Sequence, residues 1–236
     1  MNPVWNKRIE LFSAWSAIFY IGLLFIGWWP VAGFFPMHEP SAGADEIARI
    51  YSGNEFRIAL GMVIVMWSAV FYLPFGALIA QHIARIEGPA RILTYTTIMA
   101  AFANAMLTFY PPMWWVIATF RGVERGPELL RLLNDAGWIQ FLGALSLAIP
   151  INLAIALAAF MDTSKTPVFP RWLGFFNLWV FVLLLPSQML FFFRHGPFAW
   201  NGIIAIGIPL SVFAVWFPVM FYYLRKAALR GPEVDA

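Results

Sequence analysis

The sequence predicts an all-α, polytopic integral membrane protein with six transmembrane helices and two short interfacial helices on the non-cytoplasmic side. Three observations carry this. Of 236 residues, 61% are hydrophobic and only 11% charged, against about 25% charge in a soluble domain, too little to cover a water-facing surface. Mean hydropathy is +0.74. Six apolar segments, at 11–34, 58–84, 92–117, 139–161, 173–193 and 202–224, reach the length of about 20 residues that crosses about 30 Å of hydrocarbon. Within lipid a helix satisfies its own backbone segment by segment. None of the six alternates apolar with polar residues as barrel strands do. All of 1–236 therefore reads as one transmembrane domain.

The first segment follows Lys7 and Arg8. It is too long for a signal-peptide core and no A-x-A-like site closes it, so it reads as a retained first span. Between spans one and two, Ala44, Ile47, Ala48 and Tyr51 form one apolar stripe, with Asp45, Glu46 and Arg49 off it. Gly53-Asn54 supplies the left-handed stop. Between spans three and four, Gly126-Pro127 starts a second short helix, since proline costs nothing at the first helical position. Gly137 is expected to end it. Both short helices read as interfacial.

Orientation follows from charge. Lys7, Arg8, Arg85, Arg91, Lys165, Arg171, Arg225, Lys226 and Arg230 fall on one side, nine cations against six on the other. The positive-inside rule then places both termini in the cytoplasm and the protein in the cell (inner) membrane. Arg225 to Arg230, with Glu233 and Asp235, reads as a short solvated tail. The net charge of +3 comes from cations scattered singly over loops, so no nucleic-acid partner is expected; the lipid bilayer is. There are no cysteines, which removes disulfides, thiolate metal sites and thiol catalysis.

Every span contains proline: Pro30, Pro74, Pro111 with Pro112, Pro150, Pro186, and Pro209 with Pro218. Each removes a helix hydrogen bond. Those near the outer ends, including Pro111-Pro112, are expected to break or splay their helices and open an outward-facing vestibule. Prolines 37 residues apart (Pro74, Pro111) and 36 apart (Pro150, Pro186), each pair followed by Arg, Gly-Pro and Trp, suggest a repeat of two-helix units at 57–122 and 138–196.

No ionisable residue sits in the middle of a span, which argues against a proton pump, a carboxylate-coupled antiporter or a voltage sensor. Neutral polar residues remain at depth. Asn104 and Asn152 have two readings: helix–helix hydrogen bonds, or donors and acceptors orienting an apolar ligand. Ser187, Gln188, Trp114 and Trp115 complete the candidate ligand contacts. His38, Glu39, Arg121, Arg194 and His195 are candidates for the vestibule mouth. They lack metal-binding spacing, so no metal site and no catalytic residue is assigned, and no pattern names a cofactor. Trp5, Trp28, Trp29, Trp114, Trp115, Trp138, Trp172 and Trp200 lie near span ends, as an interfacial aromatic belt would. Trp67, Trp179 and Trp216 sit deeper, facing either a pocket or lipid.

The leading functional expectation is binding or translocation of a hydrophobic or amphipathic small molecule through the outer vestibule. The alternatives are a non-catalytic subunit contacting other membrane subunits, pigment or quinone, and a membrane-embedded enzyme acting on a lipid or steroid through His38, Glu39 and His195.

Overall fold

The structure is a computed structural model describing residues 3–230; Glu233 and Asp235 of the expected tail lie outside the described residues. All its regular elements are helical. They are α1 (Pro3–Ile26), α2 (Ala44–Tyr51), α3 (Glu55–Glu87), α4 (Ile92–Phe120), α5 (Pro127–Gly143), α6 (Ile149–Met161), α7 (Arg171–Leu184) and α8 (Ile208–Arg230), with shorter helical turns between them. Six continuous helical stretches among the described residues are long and apolar enough to cross a membrane: 4–31, 55–90, 92–120, 127–161, 171–192 and 203–230. Each contains one of the six segments expected from hydropathy or overlaps nearly all of it.

The chain runs up and down. α3 packs between α1 and α4, α4 reaches α5 and α6, α6 pairs with α7, and α8 returns against α1. At one end lie the chain start, the tight turn Gly88–Arg91 and the loop 162–170. In that turn the Glu87 carboxylate accepts from the Leu93 and Thr94 N–H groups at 2.7 and 2.9 Å, satisfying donors that open α4. Glu10 accepts from Gln81 at 2.6 Å and lies 3.4 Å from Arg85, tying α1 to α3. The opposite, loop-rich end carries 32–54, 121–126 and 193–202.

The short helix α2 has the predicted bounds, and Gly53 behind it is left-handed, φ +77°. Ile47 and Tyr51 are buried, seating it on α5. The second short helix is corrected. It starts at Pro127 as expected but runs through Gly137 to Gly143, directly into the fourth long stretch. Gly137 serves close packing: a Cβ there would sit 2.5 Å from the Trp115 indole.

The prolines divide into two kinds. Pro74, Pro111, Pro112 and Pro218 lie inside continuous helices, so the expected break at Pro111-Pro112 does not form. Both are buried there, with neighbours holding the helix on course. Four others accompany real irregularities. Pro30 lies in a wide turn, Gly27–Val31, whose following residue Ala32 donates to Gly27 O at 2.9 Å. Pro150 follows the tight turn Ala144–Ala148, Pro186 opens the tight turn Leu185–Phe192, and Pro209 follows the wide turn Ile203–Gly207. The stretch 57–122 is thus built of unbroken helices and the stretch 138–196 of interrupted ones.

Glycine sets the closest helix approach. A Cβ on Gly61 would collide with Gly27 O and with the Cβ of Ala32, and one on Gly76 with the Cβ of Ala101. These contacts let α3 lie backbone-close to α1 and α4, the packing mode that small residues permit. Gly61→Val is expected to lower stability by about 1–3 kcal/mol through overpacking. Gly22→Ala, which meets nothing within 4 Å, leaves stability unchanged or raises it. Thermal unfolding of the detergent-solubilised protein measures both; equal melting temperatures for the two variants would refute the close crossing.

Candidate functional site

The tight turn Ala144–Ala148 determines where Asn104 and Gln188 point. In its three-residue register Ile149 N–H donates to Ser146 O. The next carbonyl, Leu147 O, would need a hydrogen on the nitrogen of Pro150, which has none. Asn104 on α4 supplies it: Nδ2 donates to Leu147 O at 2.9 Å and to Ala100 O, one turn back, at 2.8 Å. Gln188, in the turn after α7, donates from Nε2 to Gly143 O at 3.1 Å. Two candidate ligand contacts are therefore engaged with the backbone of one interrupted helix.

Asn152 also folds back, Nδ2 to Ala148 O at 2.7 Å, and its buried Oδ1 has no protein partner among the described residues. Asn104 and Asn152 do converge. They line one internal cavity of about 20 Å³ with Tyr20, Tyr72, Trp216 and others. That volume suits a single water and is far below the about 300–1,000 Å³ of small-molecule sites. A neighbouring apolar cavity beside Trp28, Thr108 and Phe141 is about 40 Å³. Ser187 is buried, its hydroxyl donating to Leu184 O at 2.6 Å.

Two larger openings lie elsewhere. A lateral groove of about 400 Å³ runs between α4 and the α5–α6 interruption. Ala103, Met106 and Ala144 form its floor, and Tyr110, Ile139, Leu147 and Phe191 its exposed rim. Trp114 borders it by donating from Nε1 to the Gln140 side-chain oxygen at 2.8 Å. A cleft of about 480 Å³ opens at the loop-rich end, lined by 40–42, Arg131, Asp135, 190–194 and Trp200. Ile139 and Phe191 line both, so groove and cleft adjoin at these two side chains.

Of the expected mouth residues, only Arg194 lines the cleft. Glu39 stands beside it, accepting from Ser41 Oγ at 3.0 Å, while Arg121 and His195 are exposed outside it. His38 lies behind its wall. Tyr51 OH donates to Asn134 Oδ1 at 3.2 Å, and Asn134 Nδ2 lies 2.9 Å from His38 Nε2 and 3.3 Å from Asp135 Oδ1. A carboxylate only accepts, so Asn134 presents its NH₂ to both partners; His38 Nε2 accepts and Nδ1 carries the proton. Trp200 Nε1 donates to His38 O at 2.9 Å. This network fastens the 32–43 loop and the 193–202 loop to α2 and α5.

Tryptophan position near a span end did not separate belt from core. Trp28, Trp115, Trp138 and Trp200 are all buried and packed together, with Trp115–Trp138 and Trp138–Trp200 ring centroids 5.1 and 6.2 Å apart. Trp115 therefore fills a core cluster. Trp216 is buried and donates to Asn177 Oδ1 at 2.9 Å. Trp67 and Trp179 are 63% and 64% exposed on the bundle's flanks. Arg131, Asp135 and the groove floor carried no motif; only the fold brings them together. Among the described residues no three His, Cys, Asp or Glu side chains cluster as metal ligands. No family model matches the chain, and comparison with curated proteins and with solved structures finds no match.

Asn104→Leu is expected to cost about 0.5–1.5 kcal/mol, because the part-buried bond to Leu147 O is lost; an unchanged melting temperature would refute that role. Burial pushes the His38 imidazole down from 6.5 to about 4. The folded state refuses a proton the unfolded chain accepts, so stability falls as pH drops from 6.5 towards about 4. His38→Gln is expected to flatten that part of the melting-temperature profile, and an unaltered slope would contradict it.

Proposed function

We propose that this chain is an integral membrane protein crossing the bilayer six times, its loop-rich end facing away from the cytoplasm. In this reading it binds an amphipathic small molecule, the apolar part in the lateral groove and the polar part in the cleft. Insertion is supported by the exposed outer faces, where Phe56, Trp67, Phe120, Trp179 and Phe192 are 63% to 80% accessible, surfaces that lipid would cover. Helix α2 then lies at the outer interface, its Ile47–Tyr51 side turned to the bundle and Asp45 and Glu46 to water.

The observation that carries the ligand reading is that the groove and the cleft lie side by side, sharing Ile139 and Phe191. Each has the volume of a small-molecule site, about 300–1,000 Å³, and their linings differ as the two ends of an amphiphile differ. The groove floor lies at mid-helix height on the bundle's flank, so an apolar chain enters from the bilayer without passing through water. Asn104 and Gln188 support this site by holding the Gly143–Leu147 turn that forms one wall. Translocation would require the cleft and groove to exchange access with the other membrane face.

Ala103→Trp, which fills the groove floor, is expected to reduce labelling by a diazirine-bearing palmitate analogue at least about tenfold, a loss of about 1.4 kcal/mol. The same variant should melt with wild-type cooperativity. Undiminished labelling, mapped to the 139–147 segment, would sink the groove assignment.

A further inference from the structure

Resting on that reading of groove and cleft as one site, we propose that its polar end receives the singly charged phosphodiester of an anionic glycerophospholipid, held between Arg131 and Arg194. Both arginines line the cleft, one from α5 and one from the segment after the Pro186 turn. Asp135 lies on the same wall, within electrostatic reach of both. Two guanidinium groups and one carboxylate leave the lining with an excess of positive charge. The phosphodiester of an anionic glycerophospholipid brings negative charge with no cation beside it, whereas a choline headgroup would bring a cation up to the two guanidinium groups. Arginine forks suit phosphate oxygens because several N–H groups lie in one plane.

Arg131 also touches Glu128 at 2.7 Å, but that pair is exposed, with side chains 43% and 74% accessible. Exposed pairs hold their geometry weakly, and Glu128 is outside the cleft lining, so the guanidinium is available to a ligand. Arg194 forms no ion pair among the described residues. Ser41 lines the same cleft, its hydroxyl donating to Glu39. Phe191 and Ile139, at the junction with the groove, then lie where the glycerol backbone passes from the charged cleft to the apolar floor. Charge and apolarity are thus arranged in the order in which a phospholipid presents phosphate, glycerol and acyl chain.

The test uses the full chain, purified and delipidated in a neutral detergent. Native mass spectrometry then follows an equimolar mixture of dioleoyl phosphatidylglycerol and dioleoyl phosphatidylcholine. Wild type is expected to retain the glycerol lipid at least about tenfold better. The Arg131→Gln/Arg194→Gln variant should retain both lipids equally, the Arg131→Lys/Arg194→Lys variant should restore part of the preference, and Ala103→Trp should retain neither. Equal retention of both lipids by wild type, or a preference that survives the double glutamine variant, overturns the headgroup assignment while leaving the groove standing. Retention of neither lipid by wild type overturns the groove reading and the headgroup assignment together.

Discussion

The carbonyl of Leu147 imposes the constraint on which the middle of this bundle depends. The fourth long helix tightens at Ala144–Ala148 ahead of Pro150, and the hydrogen bond that this carbonyl accepts contributes about 0.5–1.5 kcal/mol. The donor comes from a neighbouring helix: Asn104 from α4. Gln188 reaches the same helix at Gly143 from the opposite side. These two bonds fix the interrupted segment against α4 and the turn after α7. The lateral groove is the space that remains beside it, floored by Ala144 and bordered by Leu147 and Phe191.

The rest of the fold supplies rigidity around that gap. Backbone-close crossings at Gly27–Gly61 and Gly76–Ala101 lock α1, α3 and α4 together. Above them, Trp28, Trp115, Trp138 and Trp200 form an aromatic block whose large buried surfaces contribute both area and edge-to-face geometry. The Tyr51–Asn134–His38 network pins the loops over this block. Burial disfavours the charged form of His38, while Arg131, Asp135 and Arg194 bring charge to the cleft beside it.

Hydropathy alone located all six long helices, because a 20-residue apolar run has few other uses. The bounds of α2 and the turn at Gly53 were equally readable from an apolar stripe and a glycine. Glycine was misread at position 137, where it admits the Trp115 ring; a glycine that ends a helix and one that lets a neighbour approach look alike in one dimension. Pro111 and Pro112 were misread similarly, since whether a proline interrupts a helix depends on the packing around it. Asn104 was visible as a polar residue at depth, but its partner is a backbone carbonyl, which no sequence pattern marks. Arg131, Asp135 and Arg194 come from α5 and from a loop about sixty residues later, so their convergence belongs to the tertiary fold.

An electron cryomicroscopy structure of the protein in native-lipid nanodiscs bears most directly on the joined groove and cleft. The expected result is elongated density along Ala103, Ala144 and Leu147 that passes Phe191 and ends between Arg131 and Arg194. A groove closed by the Phe191 side chain, or occupied by a helix of another subunit, would contradict it.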